Sequence, residues 1–234
     1  MHKALFIIDV QNDFTEGGAL AVEGGGAVAD GISRLLADHP ETYDLVIASR
    51  DWHDADNDNG GHFANGAAPD FVTTWPVHCV AGTRGAEYHD ALTVDRIDVH
   101  VRKGQGRPAY SIYEGTTIEG ESVRRILDER AITDIDVAGL ATDYCVRASA
   151  LDALANGRHV RIVTDLVAGV GEQSSADAVA ELGLAGAELI TAAEVDGEGG
   201  SAVAADIEAD IDADIDADSD SATDTAAHPT NGTA

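Results

Sequence analysis

Lysine is almost missing from this chain. Of 234 residues only Lys3 and Lys103 are lysine, and lysine plus arginine come to 14 against 43 acids, a formal net charge of −29. That balance excludes proteins that work on nucleic acid or on anionic membrane surfaces, because both need clustered cations. Cysteine is scarce as well. Cys79 and Cys145 stand alone with no short framework spacing, which excludes a disulfide-stapled secreted scaffold. A single disulfide is the alternative; free thiols in a reducing cytoplasm are the expectation. No apolar run approaches the roughly 18 residues of a membrane span. The apolar part of residues 1–9 is too short for a signal peptide.

The acidity is not confined to one end. Residues 201–234 hold nine acids and no bases, so residues 1–200 still carry 34 acids and 14 bases, a net of −20. Few lysines and many carboxylates are expected of a protein kept soluble in a salt-in, halophilic cytoplasm. There the Debye length shrinks to about 3 Å at 1 M and self-repulsion is largely screened. From about Glu194 the composition changes. Residues 205–220 alternate eight acids with Ala, Ile or Ser, a pattern whose like charges repel, and an acidic disordered tail over 194–234 is expected. Its Asp-x-Asp spacing does not make a calcium loop, since Ile215 stands where glycine is required; Asp54, Asp56 and Asp58 fail in the same way at Asn59.

What remains, residues 1–193, reads as one domain in which apolar strand-like runs alternate with helical ones. Strands are expected over 4–8, 45–48, 97–101, 132–138, 160–163 and 187–190. Helices are expected around Val28, Ile32, Leu35 and Leu36, then over 119–130, 143–155 and 175–184. Continuous apolar strands separated by helices predict a doubly wound six-stranded parallel sheet with helices on both faces. Residues 54–82 fit neither pattern. They form a long excursion carrying Trp75, His62 and His78, and loops of that length are commonly functional.

In such folds ligands bind beyond the carboxyl ends of the strands. Asp9, Asp51, Lys103 and Cys145 each follow a different expected strand. Cys145 falls in the first turn of a helix, where orphan N–H groups and the helix dipole favour a thiolate; a free thiol near 8.5 is expected to drop to about 7 or below. The N–H groups of Ala141 and Cys145 are candidates for an oxyanion hole. Asp9 is placed to take the thiol proton, and Lys103 to hold Asp9 ionised. Asp51-x-His53 puts two ligands on one side of an extended segment. With His62 and His78 they make a donor set for one divalent metal: zinc, iron(II) or manganese. Phe14, Trp75 and Tyr110 are candidates to wall an apolar slot for a flat ring.

Together, residues 8–14 (IDVQNDF), Gly17-Gly18, Asp51-Trp52-His53, residues 75–79 (WPVHC), Lys103-Gly104 and residues 141–146 (ATDYCV) resemble the nicotinamidases among the isochorismatase-like cysteine hydrolases. The resemblance implies hydrolysis of nicotinamide to nicotinate and ammonia in NAD salvage, through a thioester. It implies a triad of Asp9, Lys103 and Cys145, metal ligands Asp51, His53, His62 and His78, and a non-proline cis peptide before Ala141. The His53–His62 spacing is longer than the family's, so Asp56 and Asp58 compete for the third ligand position. Another amidase or ureidase of the superfamily is the nearest rival activity, and a non-catalytic metal-binding protein on this fold is the rival from another class. The sequence leaves oligomeric state open. If the acidity is a salt adaptation, the denaturation midpoint will rise as KCl is raised into the molar range; a midpoint indifferent to KCl would contradict it.

Overall fold

The computed structural model describes residues 2–64 and 66–196. Apart from residues 194–196, the expected acidic tail lies outside them. Six strands form one sheet: β1 (Lys3–Ile8), β2 (Leu45–Asp51), β3 (Val99–Lys103), β4 (Asp134–Leu140), β5 (His159–Ala168) and β6 (Glu188–Ile190). Every pairing is parallel, and the spatial order is β3-β2-β1-β4-β5-β6. The winding reverses between β1 and β4, the switch point where open sheets of this kind leave a crevice.

β1 alternates its contacts between two cores. Ala4, Phe6 and Ile8 face one layer; Leu5 and Ile7 face the other. Helix α1 (Gly25–Asp38) covers the second face with Val28, Ala29, Ile32, Leu35 and Leu36, joined by Leu92 and Ile97 from the segment before β3. Helices α2 (Val123–Glu129), α3 (Arg147–Ala155) and α4 (Glu172–Leu184) cover the first. Burial on both faces explains why the central strands carry continuous apolar runs rather than alternation.

The boundaries differ from the sequence expectation where polar residues continue a strand. β2 runs through Ser49, Arg50 and Asp51, because Arg50 pairs with Arg102 and Asp51 with Lys103 in β3. α2 starts at Val123 rather than 119, after a turn at Gly120 (φ 84°), and the Ser122 side chain accepts from Arg125 N–H as its cap. α4 starts earlier than expected, at Glu172. The helix after β4 opens as a π turn, Thr142–Val146, before α3. Among the described residues of 54–82 there is no helix or strand, only isolated bridges such as His53 with Val80 and Phe63 with Trp75. No helix among the described residues is long and apolar enough to cross a membrane.

One buried ion pair lies in β4 and β5. Arg161 grips Asp136 through two bonds of 2.7 Å, and Tyr43 donates to the same carboxylate at 2.9 Å. Arg161 also donates to Val195 O at 2.9 Å, as Lys3 does at 3.0 Å, so the buried Val195 is held against the sheet. Removing one member of a buried pair leaves the other charge uncompensated, at about 3–5 kcal/mol. Asp136→Ala is therefore expected to lower unfolding free energy by about that amount in a denaturant titration; a loss within the scatter of surface substitutions would contradict the pairing.

Candidate active site

The site grows out of a register match. Asp51 and Lys103 are partners on adjacent strands, and the Lys103 ammonium donates to Asp51 Oδ1. It also lies 2.8 Å from Asp9 Oδ2, at the end of β1, and 3.5 Å from Cys145 Sγ. Lys103 and Asp9 are fully buried and Asp51 nearly so. A lysine in such a place stays charged only if paired. Burial works against its charge, but Asp51 and Asp9 outweigh this and hold its pKa well above the usual lysine range. Burial would raise Asp51, yet the Lys103 charge, with His53 and His78 beside it, holds its carboxyl well below the usual range. Asp9 goes the other way: burial pushes it up, and Lys103 does not restore it because the Asp51 charge adds to the burial.

Cys145 does not match the thiolate expectation. Burial pushes its thiol well up; Lys103 pulls the other way, and the Asp9 and Asp51 charges add to the burial. The turn before α3 is also not a regular helical first turn. The amides on either side of Cys145, those of Tyr144 and Val146, both bond Ala141 O at 3.1 Å, leaving the Cys145 N–H outside that pair. Leu140–Ala141 is a cis peptide. Gly139 permits this close passage of β4 by β1: its φ is 118°, and a Cβ there would meet Ile8 O at 2.2 Å.

Three imidazoles face the other side of Asp51. His53, His62 and His78 are buried and present ligand atoms within 4.8 Å of one another. Asp51 Oδ2 lies 3.5 Å from His53 Nε2 and 3.6 Å from His78 Nε2. His53 Nδ1 donates to Gly104 O at 2.8 Å and His78 Nδ1 to Pro76 O at 2.7 Å, so both rings turn Nε2 inward. Gly104 is required there, with φ 84° and a Cβ that would strike the His53 ring at 2.5 Å. His53 Nε2 and His62 Nδ1 are buried without a hydrogen-bond partner. Burial, followed by the neighbouring His53 and His78, holds His62 down to about 4, so its ring is neutral at neutral pH. Three buried imidazoles, two with unpartnered ring nitrogens and two oriented by carbonyls behind them, fit a divalent metal. The extra residues between His53 and His62 bulge outward. Asn59 is buried and accepts from Asp54 N–H and Gly106 N–H, while Asp56 and Asp58 are exposed. The structure thus groups His62, and neither competing aspartate, with the other two histidines.

A cavity of about 260 Å³ opens over these groups. Phe14, Trp75, Tyr110, Ala141 and Cys145 line it together with Asp51, His62 and His78. Trp75 Nε1 donates to Tyr110 OH at 3.2 Å, and Tyr144 lies edge-on to Trp75 and stacks with Tyr110. Sequence reading had not singled out Tyr144, although its place beside Cys145 was a signal. It also missed Gln11, whose amide bonds both Asp51 N–H (2.8 Å) and Asp51 O (2.9 Å) as a strand neighbour would. Ser49, bonded to Asp9, was missed too.

A cysteine, a carboxylate and a lysine thus meet beside three histidines at the carboxyl edge of a doubly wound sheet. The chain belongs to the isochorismatase family: the model described as "Isochorismatase domain" matches residues 3–194. The nicotinamidase/pyrazinamidase of Mycobacterium tuberculosis is 43% identical over 188 residues, covering 80% of this chain and 98% of that protein. Among solved structures, PnC1 from L. infantum in complex with nicotinate is similar at TM-score 0.71 and 34% identity, covering 82% of this chain and 93% of that one. The pyrazinamidase of Pyrococcus horikoshii in complex with zinc is similar at TM-score 0.69 and 33% identity, covering 82% and 99%.

The raised thiol makes a direct prediction for metal-free protein. Alkylation of Cys145 should increase with pH through a midpoint above the ordinary thiol value of about 8.5, because the thiolate forms only once pH exceeds the raised pKa. A midpoint at or below the ordinary value would mean that the helix end and Lys103 outweigh burial.

Proposed function

We propose that the chain hydrolyses nicotinamide to nicotinate and ammonia, with Cys145 as nucleophile, Asp9 as proton shuttle and Lys103 as the charge that keeps both in place. The observation that carries this is the contact of Lys103 with Asp9, Asp51 and Cys145, the last two of which line one aromatic-walled cavity. The relatives in which nicotinate or zinc is named support the same reading.

In the first half, the Cys145 thiol gives its proton to Asp9 as sulfur attacks the amide carbon. A carboxylate whose pKa is raised by burial is a stronger base toward the thiol proton than an ordinary aspartate. The N–H groups of Ala141 and Cys145 receive the developing oxyanion. Asp9 then protonates the leaving nitrogen as the C–N bond breaks, releasing ammonia and a thioester. In the second half, water gives a proton to Asp9 and attacks the thioester carbon; the C–S bond breaks, the proton returns to sulfur, and nicotinate leaves. Phe14, Trp75 and Tyr110 hold the ring and exclude water from its faces. Asp51, His53, His62 and His78 would hold one divalent cation, zinc, iron(II) or manganese, which when bound supplies a Lewis-acid contact for the pyridine nitrogen.

The test is ammonia release from nicotinamide by purified protein in multimolar KCl, before and after chelation. Turnover that falls on chelation and returns with added metal is expected. Ammonia from another amide or a ureido compound, with none from nicotinamide, would keep the hydrolase and discard the substrate. No turnover with any amide in folded, metal-loaded protein would favour a binding protein instead.

A further inference from the structure

The two oxygens of the Asp9 carboxylate are not equivalent. Ser49 Oγ donates to Oδ1 at 2.7 Å, and the Asp9 N–H donates to Ser49 Oγ at 3.3 Å. A serine hydroxyl has one proton; with the amide on its acceptor side, that proton is committed to Oδ1. Oδ2 faces Lys103 at 2.8 Å. Ser49 is wholly buried in β2, two positions before Asp51 and so on the same face of the strand. A buried serine in a sheet can satisfy its hydroxyl on a nearby carbonyl; this one spends its proton on the carboxylate beside the nucleophile.

We propose that Ser49 is a positioning residue for the reaction: by occupying Oδ1 it fixes the rotation of the Asp9 carboxylate and leaves Oδ2 as the oxygen that carries the proton. The proposal deepens the reading of Asp9 as proton shuttle and rests on it. The sulfur proton moves to Oδ2 as the S–C bond forms, and from Oδ2 to nitrogen as the C–N bond breaks. In the return half the water proton takes the same oxygen on its way to sulfur. A carboxylate free to rotate would present either oxygen, and each turnover would begin with the wrong one part of the time. Lys103 alone does not prevent this, since its ammonium is shared with Asp51 and lies near Cys145.

The experiment uses metal-loaded protein, with wild-type turnover of nicotinamide measured first. Ser49→Ala, nearly isosteric, is expected to lower kcat by about tenfold to a hundredfold, the scale of a small misplacement of a catalytic group. KM and bound metal should stay at the wild-type level. Ser49→Thr, which keeps the hydroxyl, should recover most of kcat. Ser49→Cys keeps the shape but donates poorly, and should fall with Ala even if the extra methyl of Thr disturbs the buried site. Unchanged kcat in Ser49→Ala would overturn the proposal. So would a rise in KM or a loss of metal with saturating kcat intact, because that pattern belongs to a structural residue of the neighbouring Asp51. A wild type without turnover of any amide would overturn the shuttle reading and this proposal with it, whereas wild-type turnover with an indifferent Ser49→Ala overturns this proposal alone.

Discussion

The structure depends on a buried ammonium. Lys103 is enclosed at the end of β3, and stripping an ammonium of water costs several kcal/mol even after relaxation. Asp9 and Asp51 offset that cost, and in doing so they are drawn from two other strands to one point. The cluster then holds two carboxylates against one lysine. Their spare negative charge lies between a thiol on one side and three imidazoles on the other. A dry site with that imbalance suits a cation at the imidazoles and a proton at the thiol side, which are the two things the proposed chemistry needs.

The topology explains why these groups meet. Asp9 follows β1 and Cys145 follows β4, the strands that flank the switch point, so the thiol and the carboxylate sit across the crevice the winding leaves open. Asp51 and Lys103 are added from β2 and β3 by register alone. His53 lies just past β2, and the irregular stretch 54–82 folds back to bring His62, Trp75 and His78 over it. The sheet thus supplies the groups to which the proposed reaction assigns the chemistry, and the long loop supplies an aromatic and imidazole wall over them. That division is common where function is placed on a scaffold.

Much of this was legible in the sequence because continuous apolar runs mark strands buried on both faces, and a polar residue directly after such a run marks the sheet's carboxyl edge. The same rule misplaced the strand ends. Asp51 and Lys103 read as the first residues beyond their strands but are the last within them, since each neutralises the other and a pattern of apolar residues cannot register a paired charge. Cys145 shows a second limit. A helix start after a strand predicts a lowered thiol, but the burial that raises it, with the Asp9 and Asp51 charges adding to it, arises only on folding. Ser49 and Gln11 were illegible for the same reason: a serine and a glutamine near a strand carry no mark of the distant group they bond. His62 was legible in type but not in placement, because only the fold shows that the added residues project outward around Asn59.

The account stands on one sulfur atom beside one lysine. The most direct measurement is ammonia release from nicotinamide by metal-loaded Cys145→Ala beside wild type, with bound metal counted in both. The account predicts that the variant keeps its metal and its fold and releases no ammonia above the uncatalysed rate. Ammonia release at the wild-type rate from the variant would contradict it, because the carbonyl would then be attacked by something other than Cys145.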